Sequence, residues 1–539
     1  MVLYFGMETT QGNRVENLYL LFKLETRYTG RYRFVLEHLE SCSAKEFGNN
    51  SDFHILLNAN SSVEMAPPVY ARNALEIAHD KYRARNPASE KAHHDAHDHL
   101  PGGNTRTVLH AEPFPITWVS GKDATLVSLD GDEYTDLLGE FSAGIFGHSE
   151  ARIKDAVAKG MSGGWNFGGN SLLEKRFAAK VCERFGPSGI DLVRFTNSGT
   201  EANTTALGAA VVITSRRKIL VFSGGYHGST LVFPMTLMKG LTAPTMNLPY
   251  EFVFAPYNNI PETRSALEKI GPNSLAAILV EPVQGSGGCR PGTKEFLQYI
   301  RKVCDDTGAL MIVDEVMASR LGVGGYIATQ GVKADIITLG KYVGGGMTFG
   351  AFGGRRDIME RFDPSKGQLF HPGTFNNNIL SMSAGLVGLE IYNATAVERL
   401  NKLGEDTKRE IQQVLIEERI YPSTIASGLV DIIEIDSLEL ESSFEINGNS
   451  HSLDKLPLMF ITGRGSMLNV RFSGPNSAVW QALYYHHMLS KNIHVAVRGY
   501  TPLHLRVSQD HISQYVSAIR DFVLLHKAEL CAEASVTVQ

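Results

Sequence analysis

Short apolar runs rich in β-branched residues alternate with helical patterns in the middle of the chain. The runs are Leu192–Phe195, Lys218–Phe222, Ala276–Val280, Ala309–Val313, Asp335–Thr338 and Phe349–Gly354, and the helical stretches include Leu172–Phe185, Ala202–Thr214, Thr293–Thr307 and Ser381–Thr395. This alternation predicts a parallel sheet covered by helices, which is an α/β architecture. In such a sheet, ligands bind at the carboxyl ends of the strands.

The flanking regions have other patterns. Asp130-Gly131-Asp132 predicts the turn of a hairpin between Ala124–Leu129 and Glu133–Leu137. Residues 396–539 read as α+β, with helices Val397–Glu417, Val479–Leu489 and Ser513–His526 and strand Ile493–Val497, and the acidic stretch 431–457 reads as an insertion loop. Residues 1–65 have no steady period. They represent either a small extension or an over-long gene model, since Met65 directly precedes the body.

Composition narrows the functional classes. The 539 residues are 43% hydrophobic and 20% charged, which is typical of a globular protein of two or more domains. The net charge of −6 without a basic stripe argues against nucleic acid as a partner. The five cysteines are scattered and lack CxxC spacing, which favours a reducing compartment and no metal site. We find no membrane-length apolar run and no signal peptide, and we therefore expect a cytoplasmic protein.

Lys341 stands at the end of an apolar strand and is followed by Gly344-Gly345-Gly346. A lysine that forms a Schiff base needs partial burial, which lowers its pKa, and room for a cofactor to approach. The alternative is an ordinary lysine in a glycine-rich loop. Asp314 follows five apolar strand residues, where an unpaired carboxylate is costly to bury. It either caps a turn or pairs with a buried cation, such as a protonated pyridine nitrogen. We expect Asp314 and Lys341 at adjacent strand ends.

Two further loops have ligand-binding patterns. Thr196-Asn-Ser-Gly-Thr-Glu-Ala-Asn203 opens a helix, where free N–H groups and the hydroxyls of Ser198 and Thr200 would bind a phosphate. Serine and threonine also cap helices for purely structural reasons. Tyr226 follows a glycine pair at a strand end and would stack on a planar ligand, or it is an ordinary loop tyrosine.

Arg106 ends the turn-rich loop Leu100–Thr107, where it would capture a carboxylate or remain solvated. His93 and His97 are spaced to share one helix face and could bind a metal. Since aspartates are interleaved with them, we expect a solvated segment instead.

In order and spacing, six motifs closely resemble the class III aminotransferases of pyridoxal 5′-phosphate (PLP) fold type I. They are Asn197-Ser-Gly-Thr-Glu-Ala202, Gly225-Tyr-His-Gly228, Glu281-Pro282, Asp314-Glu-Val316, Gly340-Lys341 and Pro372-Gly-Thr374. Asp314-Glu-Val-Met317 resembles the glutamate-1-semialdehyde aminomutase branch. Pro101-Gly-Gly-Asn-Thr-Arg106 and Gly373-Thr-Phe-Asn-Asn-Asn378 are closest to the β-amino acid (β-phenylalanine-type) aminotransferases of that branch.

This resemblance implies the site. Lys341 would form the Schiff base with PLP and move the proton, and Asp314 would keep the pyridine nitrogen protonated. Ser198, Gly199 and Thr200 would bind the phosphate, with Thr374 reaching the cofactor of the neighbouring subunit in a homodimer. Tyr226 and Val316 would contact the two ring faces. Arg106 would bind the donor carboxylate, and Arg498 the α-carboxylate of the keto acid.

The resemblance also implies the domains and the reaction. Residues 66–169 and 396–539 would form a small domain from both chain ends around a large domain at 170–395. We expect amino-group transfer from a β-amino acid or related amine to a keto acid by a ping-pong mechanism. The alternatives are an aminomutase and a non-catalytic PLP-fold protein. Tyr500 stands where relatives usually have phenylalanine, and proline is missing before Arg498, which leaves substrate choice open.

Overall fold

The computed structural model describes residues 69–234, 245–421, 457–474 and 476–536, together with the backbone of five strands in the remaining stretches. The chain divides into two compact units, Met1–Met65 and Ala66–Gln539. In the first unit, β1 (Val2–Gln11), β2 (Arg14–Thr26) and β3 (Tyr32–Leu39) form an antiparallel sheet in the order β1-β2-β3.

The second unit contains the remaining elements. Its helices are α1 (Val69–Arg85), α2 (Pro87–Ala96), α3 (Ala151–Ser162), α4 (Leu172–Phe185), α5 (Gly199–Thr214), α6 (Ile260–Glu268), α7 (Lys294–Thr307), α8 (Tyr326–Thr329), α9 (Arg356–Met359), α10 (Ile379–Ile391), α11 (Ala394–Glu417), α12 (Ser477–Ser490) and α13 (Gln509–Val536). No helix in these ranges is both long and apolar enough to cross a membrane.

The strands of this unit lie between residues 118 and 502. They are β4 (Trp118–Lys122), β5 (Thr125–Ser128), β6 (Glu133–Asp136), β7 (Leu192–Thr196), β8 (Lys218–Phe222), β9 (Gly225–Tyr226), β10 (Val232–Phe233), β11 (Glu251–Ala255), β12 (Leu275–Val280), β13 (Val283–Gln284), β14 (Arg290–Pro291), β15 (Leu310–Asp314), β16 (Ile336–Gly340), β17 (Gly350–Gly354), β18 (Phe444–Ile446), β19 (Asn449–His451), β20 (Met459–Arg464), β21 (Met467–Phe472), β22 (Ile493–His494) and β23 (Tyr500–Pro502).

A seven-stranded sheet with the order β11-β8-β12-β15-β16-β17-β7 forms the centre of the unit. The first five strands pair in parallel, and β17 is antiparallel to both neighbours. The short connection 341–349 is too brief for a parallel crossover, so β17 returns antiparallel. The predicted helix-covered parallel sheet is confirmed; β11 and α2 were not predicted.

Alternate residues of the central strands belong to two apolar layers. Ile278 and Val280 of β12 pack with Phe296 and Ile300 of α7 in one layer. Leu279 of the same strand packs in the other layer, which contains the alanines of α5. Since side chains alternate along a strand, helices cover both faces and leave the carboxyl edge open for a site.

The small sheet β22-β6-β5-β4 joins the two chain ends, because β22 pairs in parallel with β6. The predicted hairpin is present as β5 and β6. The predicted strand Ile493–Val497 ends at His494, since a turn closed by Gly499 N donating to Ala496 O, 2.8 Å away, takes over. The helix predicted at Ser513–His526 extends to Gln509–Val536. The predicted insertion 431–457 lies outside the described residues, except for the antiparallel pair β18–β19 and Pro457.

Candidate active site

The predicted site residues gather at the carboxyl edge of the central sheet. Asp314 ends β15 and pairs in register with Thr338 of the neighbouring parallel strand β16, three residues before Lys341. The expectation that Asp314 and Lys341 stand at adjacent strand ends is therefore confirmed. Ser198 follows β7 at the start of α5, and Tyr226 lies just after β8. This edge is where open α/β sheets bind ligands.

Asp314 is 4% exposed and fully engaged by neutral donors and one histidine. Its Oδ2 lies 2.8 Å from Asn203 Nδ2 and 2.8 Å from His227 Nδ1. Its Oδ1 accepts from Val316 N at 3.0 Å. Thr338 Oγ1 in turn donates to Asn203 Oδ1 at 2.7 Å, which fixes the amide. These contacts hold the buried carboxylate in one orientation.

Lys341 begins the turn after β16 in a left-handed conformation, with φ of +53°. Its Nζ donates to Phe141 O at 2.9 Å. Burial lowers the pKa of Lys341 to about 8, with Glu140 opposing this shift and Arg106 adding to it. A substantial neutral fraction therefore exists near neutral pH, as a nucleophilic amine requires.

The loop before α5 offers free backbone donors beside Lys341. Ser198 is the N-cap residue, and its Oγ accepts from Glu201 N at 3.2 Å. A Cβ on Gly199 would lie 2.8 Å from Val316 Cγ2, and one on Gly228 would overlap Thr200. The glycines therefore let three backbone segments converge on one helix N-terminus, which suits a phosphate group.

Tyr226 and Val316 lie on segments that pack beside the loop before α5. Tyr226 is 44% exposed, and its backbone N–H donates to Glu281 Oε2 at 3.0 Å. The other carboxylate oxygen of Glu281 accepts from Gly285 N at 3.0 Å, so one buried side chain fixes two loops. Burial raises the pKa of Glu281 to about 7. Val316 packs against the α-carbons of Gly199 and Gly340.

Arg106 lies on the solvent side of Lys341. Its Nη1 donates to Glu140 Oε1, and its guanidinium carbon stands 5.4 Å from the centroid of the Phe141 ring. Arg106 and Lys341 thus both contact Phe141, and Arg106 also pairs with Glu140. Arg498 is exposed in the turn before β23, and its Nη1 is 3.4 Å from Ser286 Oγ, next to the loop that Glu281 fixes.

Thr374 is exposed on a loop that contacts the loop before α5 in the same chain, because Asn197 Nδ2 donates to Asn376 Oδ1 at 3.1 Å. His93 lies on α2 and is half-buried, and His97 lies just after the helix and is exposed, with their Nε2 atoms 3.3 Å apart. Among the described residues, no group of three or more histidine, cysteine or acidic side chains is arranged to hold a metal ion. Among the described residues, Cys182, Cys289 and Cys304 form no disulfide bond.

Three residues of this site have no role in the sequence-based assignment. Asn203 and His227 both bind Asp314, and Glu140 binds Arg106. A buried asparagine in the alanine-rich helix α5 is the one local signal that a polar partner lies opposite it. Nothing local marks Glu140, because a loop glutamate is normally solvated.

Comparisons with known proteins agree with this geometry. The family model "Aminotransferase class-III" matches residues 108–437. The chain is 40% identical over 458 residues to "Beta-phenylalanine transaminase" of Variovorax paradoxus, covering 85% of this chain and 97% of that protein. The solved structure of that organism's β-phenylalanine aminotransferase superposes with a TM-score of 0.74 at 38% identity, covering 85% of this chain and 98% of the other.

Aminomutase relatives match either over a smaller part of the chain or at a lower identity, one of them at 29% over 80% of this chain. "Glutamate-1-semialdehyde 2,1-aminomutase" of Ignicoccus hospitalis is 38% identical over 325 residues, which covers 58% of this chain and 76% of the relative. The family match, the long β-phenylalanine transaminase alignment and the fold agree with one another. The chain belongs to the class III aminotransferases, PLP-dependent enzymes of fold type I that transfer an amino group from a donor to a keto acid.

Proposed function

We propose that the chain transaminates β-amino acids, with a keto acid as the acceptor. The observation that carries this proposal is the contact of both Arg106 and Lys341 with Phe141, which brings the guanidinium and the amine to the same turn. A guanidinium beside the reacting amine suits a donor whose carboxylate lies close to, but not on, the amine-bearing carbon. The 40% identity to a β-phenylalanine transaminase supports the same substrate class.

The site fits PLP on the basis of its own contacts. Asp314 is a buried carboxylate whose contacts in the described site are two neutral donors and His227, so a protonated ring nitrogen would complete its charge balance. The N-terminus of α5 would hold the phosphate through Ser198, Gly199 and Thr200. Tyr226 and Val316 would contact the two ring faces.

PLP, when bound, supplies a carbonyl carbon for the amine and a ring that accepts the electron pair of the broken C–H bond. Lys341 Nζ, with its lowered pKa, would take the proton from the donor's amine-bearing carbon and deliver it to the cofactor carbon that receives the amino group. Asp314 would hold a positive charge at the ring nitrogen, while Asn203 and His227 hold Asp314 in place. Arg106 binds the donor carboxylate, and Arg498 binds the keto acid.

We further propose that the enzyme works as a homodimer in which Thr374 reaches the cofactor of the neighbouring subunit. Exposed apolar side chains support this: Trp165, Phe167, Leu172, Phe370 and Phe375. Asn377 Nδ2 donates to Gly169 O at 3.3 Å, so the two segments that carry these side chains adjoin. Such a patch is unusual on a monomer. The domain limits 66–169, 170–395 and 396–539 and a cytoplasmic location stay predictions.

Replacing Arg106 with alanine tests the donor assignment. We expect the KM for β-phenylalanine to rise about tenfold or more, because a charge-assisted hydrogen bond is worth roughly 1.5–3 kcal/mol. The KM for 1-phenylethylamine, which has no carboxylate, should stay the same. Steady-state kinetics with both donors measure the two constants. An unchanged KM for β-phenylalanine would remove Arg106 from the donor site.

A further inference from the structure

Four consecutive residues next to the site have a left-handed backbone. Gly139, Glu140, Phe141 and Ser142 have φ angles of 49°, 50°, 52° and 76°. L-residues with side chains avoid this region, and a run of them persists only where the surroundings hold it. Strained backbone of this kind clusters at active sites, where it holds functional groups in place.

A buried carboxylate anchors this turn. Asp136 ends β6 and is 1% exposed. Its Oδ1 accepts from Leu138 N at 2.8 Å and from Gly139 N at 3.1 Å, and its Oδ2 lies 2.8 Å from His148 Nε2. Gly144 N closes the far side of the turn by donating to Gly139 O at 2.9 Å. The segment is therefore fixed to the small sheet at its start and closed on itself by the bond from Gly144.

Within this turn, Phe141 contacts Lys341 and Glu140 contacts Arg106. Phe141 O accepts from Lys341 Nζ, and the Phe141 ring packs beside the Arg106 guanidinium. Glu140 Oε1 accepts from Arg106 Nη1. The Arg106 and Glu140 side chains are 42% and 58% exposed, so this ion pair is accessible from solvent and can exchange partners.

We propose that Glu140 is a specificity-determining residue, which occupies the carboxylate-binding side of Arg106 until the carboxylate of the donor displaces it. The inference rests on the proposed role of Arg106 and deepens it. A donor with a carboxylate must compete with Glu140, whereas an amine without one leaves the pair intact. Competition with Glu140 therefore lowers the affinity of the enzyme for carboxylate donors. The strained turn holds Glu140 within reach of Arg106.

The test measures binding of 3-phenylpropanoate, a carboxylate without an amino group, to the PLP-loaded enzyme by calorimetry. Glu140→Gln keeps the size and the hydrogen-bonding capacity of the side chain but removes its charge. We expect the Kd to fall about two- to fivefold, as for the loss of an exposed competing ion pair. The control is Glu390→Gln, whose carboxylate pairs with Arg152 at 3.3 Å and is 48% exposed. It should leave the Kd unchanged.

A double variant links the effect to Arg106. Glu140→Gln should have no effect on binding of 3-phenylpropanoate in the Arg106→Ala background, because the guanidinium for which the two carboxylates compete is then absent. If Arg106→Ala weakens binding but Glu140→Gln does not tighten it, the inference is overturned and the role of Arg106 stands. If Arg106→Ala leaves binding unchanged, both the donor assignment and the inference fail.

Discussion

At the scale of single residues, the pKa and the position of Lys341 depend on its neighbours Arg106, Glu140 and Phe141. Removal from water disfavours its ammonium form, Arg106 disfavours it further, and Glu140 favours it. Phe141 O fixes the position of Nζ at 2.9 Å. The result is an amine that loses its proton near pH 8, about where an enzyme operating near neutrality needs its base.

The lowered pKa of Lys341 predicts how the cofactor-free protein reacts with trinitrobenzenesulfonate, a reagent that is attacked by neutral amines. The rate at Lys341, followed by peptide mass spectrometry, should rise with pH and reach half its maximum near pH 8, since the pKa lies below the ordinary 10.5. Glu140→Gln should shift the midpoint down, because a favourable negative charge is lost. Arg106→Ala should shift it up. A wild-type midpoint near 10 would contradict the burial of this amine.

The sequence was informative where chemistry and local structure coincide. Asp314 and Lys341 were candidates from local pattern, as a carboxylate at the end of an apolar strand and a lysine before three glycines, and the family resemblance assigned their roles. Asn203 was not assigned, because its partner Asp314 lies 111 residues away. Long-range hydrogen bonds leave little local signal, since only the folded sheet brings the two residues together.

The same contrast holds for whole elements. The central strands and helices followed their apolar periods, and α4 has the predicted bounds Leu172–Phe185. The turn Gly139–Ser142 could not be predicted, because Glu140 and Phe141 do not favour left-handed backbone and tertiary contacts impose it. Strand β11 was missed, since Glu251–Ala255 is short and has exposed positions within it.

The turn after Lys341 gives a prediction at the scale of elements. Gly345 has a φ of +67°, and a Cβ there would lie 2.4 Å from the backbone of Ala384 in α10. Gly345→Ala should lower the free energy of unfolding by about 2–4 kcal/mol, from left-handed strain and overpacking. Denaturant unfolding of the cofactor-free protein measures this loss.

Gly186 supplies the matched control. It has a φ of −54°, and nothing lies within 4 Å of the Cβ that alanine would add. Gly186→Ala should be neutral or stabilise the protein by up to about 1 kcal/mol. Equal effects of the two substitutions would show that the turn does not pack tightly on α10.

At the scale of the whole molecule, the proposed homodimer gives a prediction. Phe370 is 90% exposed in the proposed dimer patch. Phe370→Asp should shift the protein from dimer towards monomer in sedimentation velocity, because a charge would enter an apolar interface. Leu525→Asp, at a 64% exposed position of α13 outside this patch, should not. Monomeric wild type would contradict the dimer.

Mixed dimers test the contribution of Thr374 from the partner. Lys341→Ala subunits are expected to be inactive, and Thr374→Ala subunits are expected to bind PLP weakly. If Thr374 serves the other subunit, a heterodimer of the two variants contains one complete site, with Lys341 from one chain and Thr374 from its partner. Co-expressed heterodimers should then regain PLP affinity at that site. No gain would place Thr374 outside the neighbouring site.

The most direct measurement of the central claim is a single half-reaction. The PLP-loaded enzyme is mixed with β-phenylalanine alone, and its absorbance spectrum is followed. The pyridoxal band should convert to the pyridoxamine band and return when a keto acid is added, whereas Lys341→Ala should show no conversion. If the wild-type band does not change with any single donor, but an amino-aldehyde turns over without an acceptor, the enzyme is an aminomutase and the account is wrong.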